Sequence, residues 1–233
     1  MAADDGKPAM TTVIEPEYTV PMDAQRQTSR TSGSGMEQPA RDRIVRSAAT
    51  LVRERGVHGV GLRQIVAHAN GPRGSLQRYF PGGKTQVITE ALNLAGAELL
   101  NDTESRLLKA ATLAEAIDAI FAPWRQVLLE SNFTMGCPIA ATVTDASGDD
   151  RLRQEAGALL AQWRDSVHAA LVKFGAQKST AQDDASVLLA ALEGALILSR
   201  ANQSTQPLDT VQRFFTTSLT QSAAKPARRS RDR

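Results

Sequence analysis

Two short apolar stripes of helical spacing meet at Asn70-Gly71-Pro72, and that break leaves few folds open. The first stripe, Leu62, Ile65 and Val66, runs to about Ala69, with Gly61 as a weak N-cap. Asn-Gly closes tight turns, and Pro72 then stands where a helix's first residue needs no N–H. A second helix is therefore expected from Pro72 to Phe80, stopped by Pro81-Gly82-Gly83, with Leu76 and Phe80 pointing inward together. Ahead of this pair, a helix begins near Ala40, carries Ile44, Ala48, Leu51 and Val52 on one face, and ends at Gly56, a residue suited to a left-handed cap. A longer helix runs from Lys84 to about Leu100. Two short helices joined by a tight turn describe a helix-turn-helix.

The rest of the chain reads as helix too. Apolar periodicity of 3.6 predicts helices over 112–131, 151–174, 183–202 and 207–221, with a short helix and a loop in 136–148. No stretch alternates with the period of a strand, and aromatic content is only 4%, which disfavours sheet. The fold class expected is all-α: an N-terminal three-helix helix-turn-helix domain joined by a long helix to a larger helical domain. The boundaries expected are a disordered arm over 1–39, a first domain over 40–100, a second over 101–222, and a basic disordered tail over 223–233. No apolar run approaches the roughly 18 residues of a membrane helix, and no signal-peptide pattern opens the chain. With a single cysteine, Cys137, these features predict a cytoplasmic protein with no membrane partner.

Charge is distributed unevenly. Residues 41–84 hold nine basic and two acidic groups, whereas 85–220 hold ten basic and sixteen acidic ones. A basic block attracts a polyanion, most often nucleic acid, although a solvated basic face without a partner has the same composition. A recognition helix must fit a major groove about 12 Å wide with slender side chains outward. Arg73, Ser75, Gln77 and Arg78 meet that need.

The run from Ile65 to Phe80 and the following Pro81-Gly82-Gly83-Lys84 carry a specific resemblance. Residues 41–95 resemble the N-terminal domain of the TetR family of regulators, and Gly136-Cys137-Pro138 is similar to a segment of its LmrA/YxaF-like branch. The resemblance implies a DNA-binding set of Arg41, Arg43, Gly71, Pro72, Arg73, Ser75, Gln77, Arg78, Tyr79 and Lys84. Within it, Tyr79 and Lys84 resemble phosphate contacts, Arg73, Ser75 and Arg78 base readers, and Arg41 and Arg43 contacts to the backbone or minor groove. The sequence departs from the family at Gly61, where Thr or Ser usually opens the second helix, and at Gln77, where Tyr is usual.

The resemblance also implies a homodimer on a palindromic operator and a small-molecule effector. Helices 151–174 and 183–202 supply the candidate dimer residues Leu160, Val167, Leu188, Ala191, Gly194, Ala195 and Leu198, which could equally close a monomeric core. Candidate effector residues are Phe121, Trp124, Leu128, Phe133, Met135, Trp163 and His168, each of which could instead be core. No cofactor or metal is expected. His58, His68 and His168 are scattered, and Gly83-Lys84-Thr85 lacks the earlier glycine and preceding strand of a phosphate-binding loop. The chain is therefore expected not to be an enzyme. The leading expectation is a repressor released by a small, largely apolar ligand. A DNA-binding regulator or activator without a ligand is the alternative, and an enzyme or carrier with an incidental basic block is the third.

Overall fold

The computed structural model describes residues 39–72, 74, 76–146 and 148–224. Arg73 and Ser75 lie outside these residues, as do most of the expected arm and the tail beyond Ala224. Among the described residues there are nine helices and no strand. They are α1 (Ala40–Arg55), α2 (Leu62–His68), α3 (Leu76–Tyr79), α4 (Gly83–Leu107), α5 (Leu113–Glu130), α6 (Pro138–Asp145), α7 (Asp150–Lys173), α8 (Ala181–Asn202) and α9 (Gln206–Ala224).

The helix expected from Pro72 begins instead at Leu76. Gly74 lies in a turn, as suits a residue that costs a helix roughly 1 kcal/mol relative to Ala. In the other direction, α4 continues past Leu100 to Leu107 without a break. The expected boundary at 100 thus falls inside one helix. Residues 40–224 share a single principal core, in which Ile44 and Val52 of α1, Ile88 and Leu92 of α4, Trp124 of α5 and Trp163 of α7 all belong to one buried cluster.

Helix α4 is the axis of the arrangement, packing against α1, α5, α6 and α7. Gly96 permits its close approach to α7: a Cβ there would lie 3.0 Å from Leu159 Cδ2. Helix α9 lies across α5 and α8, and α8 in turn packs on α7. Helix starts are capped by side chains where the chain permits, Thr112 accepting from Glu115 N at α5 and Asp149 from Leu152 N at α7.

Candidate nucleic-acid interface and effector region

The turn between the two short helices is built by hydrogen bonds. Asn70 adopts a left-handed conformation (φ 48°), its N–H reaches Ala67 O at 3.1 Å, and Gly71 N–H reaches Val66 O at 2.9 Å. That pair of bonds is a Schellman motif, which satisfies the last carbonyls of α2. At the other end of α2, the Gln64 side chain accepts from Gly61 N at 2.9 Å, so a glycine start is supported by the third helical residue. Leu76 packs against the core and Phe80 is buried, which fixes the orientation of α3.

That orientation leaves Gln77 and Arg78 exposed, Pro72 exposed, and Tyr79 and Lys84 half-buried. Tyr79 packs edge-on to Phe80, and Lys84 stands in the first turn of α4. Within the described residues, no hydrogen bond or ion pair engages the side chains of Gln77, Arg78 or Lys84. Arg41 and Arg43 are placed differently. Arg41 pairs with Glu90 at 2.6 Å and lies over the Phe80 ring, while Arg43 Nε donates to Ala69 O at 3.3 Å. Both therefore brace α1 against α4 and α2 as well as carrying charge. Gly71 sits over Ile44 and Val66 and serves the turn. Arg63, absent from the sequence-based set, lines the groove of about 670 Å³ between α2 and α3 together with Asn70 and Leu76. A basic residue in the opening turn of α2 was the signal that could have found it.

The helix-turn-helix is stitched to the larger helical body at several points. Asp145, at the end of α6, accepts the Val57 N–H at 2.8 Å. Gly136 N donates to Arg53 O at 3.0 Å, and Arg200 of α8 donates to Thr134 O at 2.9 Å and Glu54 O at 3.4 Å. Thr85, one residue after Lys84, donates to Asp149 Oδ2 at 2.9 Å. The Leu152 N–H, with the Thr85 hydroxyl second, holds the Asp149 carboxyl below its usual range.

Of the candidate effector residues, Phe121, Trp124, Leu128 and Trp163 are fully buried. Trp124 and Trp163 pack with ring centroids 5.5 Å apart and planes tilted by 39°, and neither indole N–H has a hydrogen-bond partner among the described residues. Phe133 packs partly against the core in a left-handed conformation, and Met135 and His168 are half-buried. Of the seven, Trp124 lines a cleft. That cleft, of about 350 Å³, lies between α4 and α5 and is lined in addition by Arg53 of α1. Nearby, Cys137 caps α6 and its thiol, pushed up by burial, faces the Glu193 carboxyl, which burial raises to about 7.

Of the candidate dimer residues, Val167, Leu188 and Ala195 are buried within the protomer's own core. Val167 belongs to α7 and Leu188 and Ala195 to α8, and all three join the principal core. Leu198 is 56% exposed beside Ile197 at 68%, with Val187 further up α8 and Phe214 at 64% on α9. Ala191 and Gly194 are partly exposed, with no atom within 4 Å of a Cβ built at Gly194, and Leu160 packs partly against the core.

A helix-turn-helix on a larger all-helical body defines a DNA-binding transcription regulator. Residues 44–91 match the family of bacterial regulatory proteins called tetR, and residues 114–214 match the C-terminal domain of LmrA/YxaF-like transcriptional regulators. The chain belongs to the TetR family. It is 37% identical to the HTH-type transcriptional regulator Rv0196 of Mycobacterium tuberculosis, across 76% of this chain and 92% of that one. It is 28% identical to the HTH-type transcriptional regulator LmrA of Bacillus subtilis, across 72% and 90% respectively. In fold it matches a TetR transcriptional regulator from Legionella pneumophila with a TM-score of 0.72 at 16% identity, covering 79% of this chain and all of that one. Among the described residues, no helix is long and apolar enough to cross a membrane.

Proposed function

We propose that the chain is a repressor that binds a palindromic operator as a homodimer and is released by a small effector. The stitching between helix-turn-helix and body carries this reading. Hydrogen bonds join α6, the N-cap of α7, α8 and the α5–α6 loop to α1, to the α1–α2 loop or to the start of α4. A shift of the body therefore moves the recognition helix, and a ligand that favours one arrangement changes the spacing of two half-sites. The exposed apolar residues of α8 and α9 supply a face for the second copy, and two recognition helices about one duplex turn apart need two copies.

Selection of bound duplexes from a random pool tests the reading. Enrichment of one inverted repeat, bound by two chains, is the expected result. Enrichment of a site without two-fold symmetry, bound by one chain, contradicts it. A regulator that binds the repeat and responds to no small molecule in a library screen would instead be the ligand-independent regulator.

A further inference from the structure

The cleft between α4 and α5 has an apolar floor that includes Leu99, Trp124 and Val127. Most charges on its rim already have partners. Arg46 pairs with Glu98 at 2.6 Å, and Arg106 pairs with Asp102 at 3.0 Å and donates to Gln126 at 3.2 Å. The Gln126 amide donates to Glu130 at 2.8 Å, and Glu130 is otherwise open to water. Arg53 is the exception. Its half-buried guanidinium lines the cleft without a hydrogen bond or ion pair among the described residues. Burial lowers its pKa, opposed by Cys137 and by Glu98, which lines the same cleft and is already paired with Arg46. A desolvated guanidinium is costly unless a partner occupies its planar fork of donors, and a carboxylate fits that fork with two parallel bonds.

We propose that this cleft takes a small carboxylic acid with an apolar body, its carboxylate on the Arg53 guanidinium and its body against Leu99, Trp124 and Val127. The proposal rests on the effector-released reading and names the chemical class of the effector. It also supplies a route for the signal. Arg53 lies in the last turn of α1, its own carbonyl holds Gly136, and the next carbonyl, of Glu54, accepts from Arg200. An acid that draws the Arg53 side chain into the cleft therefore acts directly on the end of α1.

The test is calorimetric titration of the full chain with 3-phenylpropanoate and with its neutral isostere 3-phenylpropanamide. The acid is expected to bind roughly tenfold or more tightly than the amide, since a charge-assisted pair is lost in the amide. Arg53→Gln is expected to remove that preference and Arg53→Lys, which keeps the charge but not the planar fork, to keep only part of it. Equal affinity for the two compounds, no binding of the acid at millimolar concentration, or a preference that survives Arg53→Gln overturns the proposal. The comparison of acid with amide on the unaltered chain stands even if a variant fails to fold. DNA binding measured in the same preparations separates the two readings. A chain that binds its duplex but shows no preference for the acid defeats this proposal alone. A chain that prefers the acid but binds no duplex defeats the repressor reading alone.

Discussion

Asp145 Oδ2 lies 2.8 Å from Val57 N and accepts its N–H, in the space that a side chain at position 56 would fill. One carboxylate from the end of α6 thus anchors the loop that follows α1, and the chain gives it room by having no side chain at Gly56.

Gly56 is doubly constrained, with φ at 70° and ψ at 177° and a would-be Cβ only 2.1 Å from Asp145 Oδ2. Gly56→Ala should cost about 2–4 kcal/mol, combining backbone strain with loss of the anchor. Asp145→Ala, which leaves the backbone relaxed, should cost about 1–2 kcal/mol. Urea unfolding measures both, as a lower midpoint at an unchanged slope.

The packed pair Trp124 and Trp163 forms the centre of the body, with both rings almost wholly buried. Trp163→Ala should destabilise the protein by about 3–5 kcal/mol, through lost burial and the cavity left behind. The same unfolding experiment reads it, and a loss below about 1 kcal/mol would place Trp163 in a yielding region.

Glu193 gives the folded chain an acid with a pKa of about 7 where the ordinary value is 4.5. Burial is the cause, and the thiol of Cys137 opposes it. Between those values the folded state holds a proton that the unfolded state has released. Stability should therefore fall as pH rises from 4.5 to 7 and level off above it, by at most about 3 kcal/mol. Glu193→Gln should flatten that slope, and unfolding midpoints measured across the interval check it.

Ile197 and Leu198 project from α8 with 68% and 56% of their surface free. If this face meets a second copy, Ile197→Asp should turn the protein into a monomer with its helical content intact, because most of the residue's surface is free within the protomer. Sedimentation velocity distinguishes the species. An unchanged dimer would move the interface elsewhere.

The helices were legible because their apolar residues recur with a 3.6 period, and Asn70-Gly71 announced the turn that its left-handed Asn70 and Schellman bonds build. The exposed positions Gln77 and Arg78 followed from the inward pair Leu76 and Phe80. Three things were not legible. The start of α3 depended on Gly74 outweighing the permissive Pro72. The burial of Val167 on α7 and of Leu188 and Ala195 on α8 depended on how those two helices are rotated, which their apolar residues alone do not fix. The roles of Arg41, Arg43 and Arg53 depended on long-range partners, or their lack, which no local pattern encodes.

In the proposed complex, α3 and the start of α4 lie against a duplex. That placement is tested most directly by the salt dependence of affinity for the selected duplex, in the unaltered chain and in Lys84→Ala. The account predicts a linear fall of log affinity with log salt, and a slope smaller by about one in the variant, with weakening that is uniform across sequences. A slope that Lys84→Ala leaves unchanged, or affinity that does not respond to salt, would contradict it.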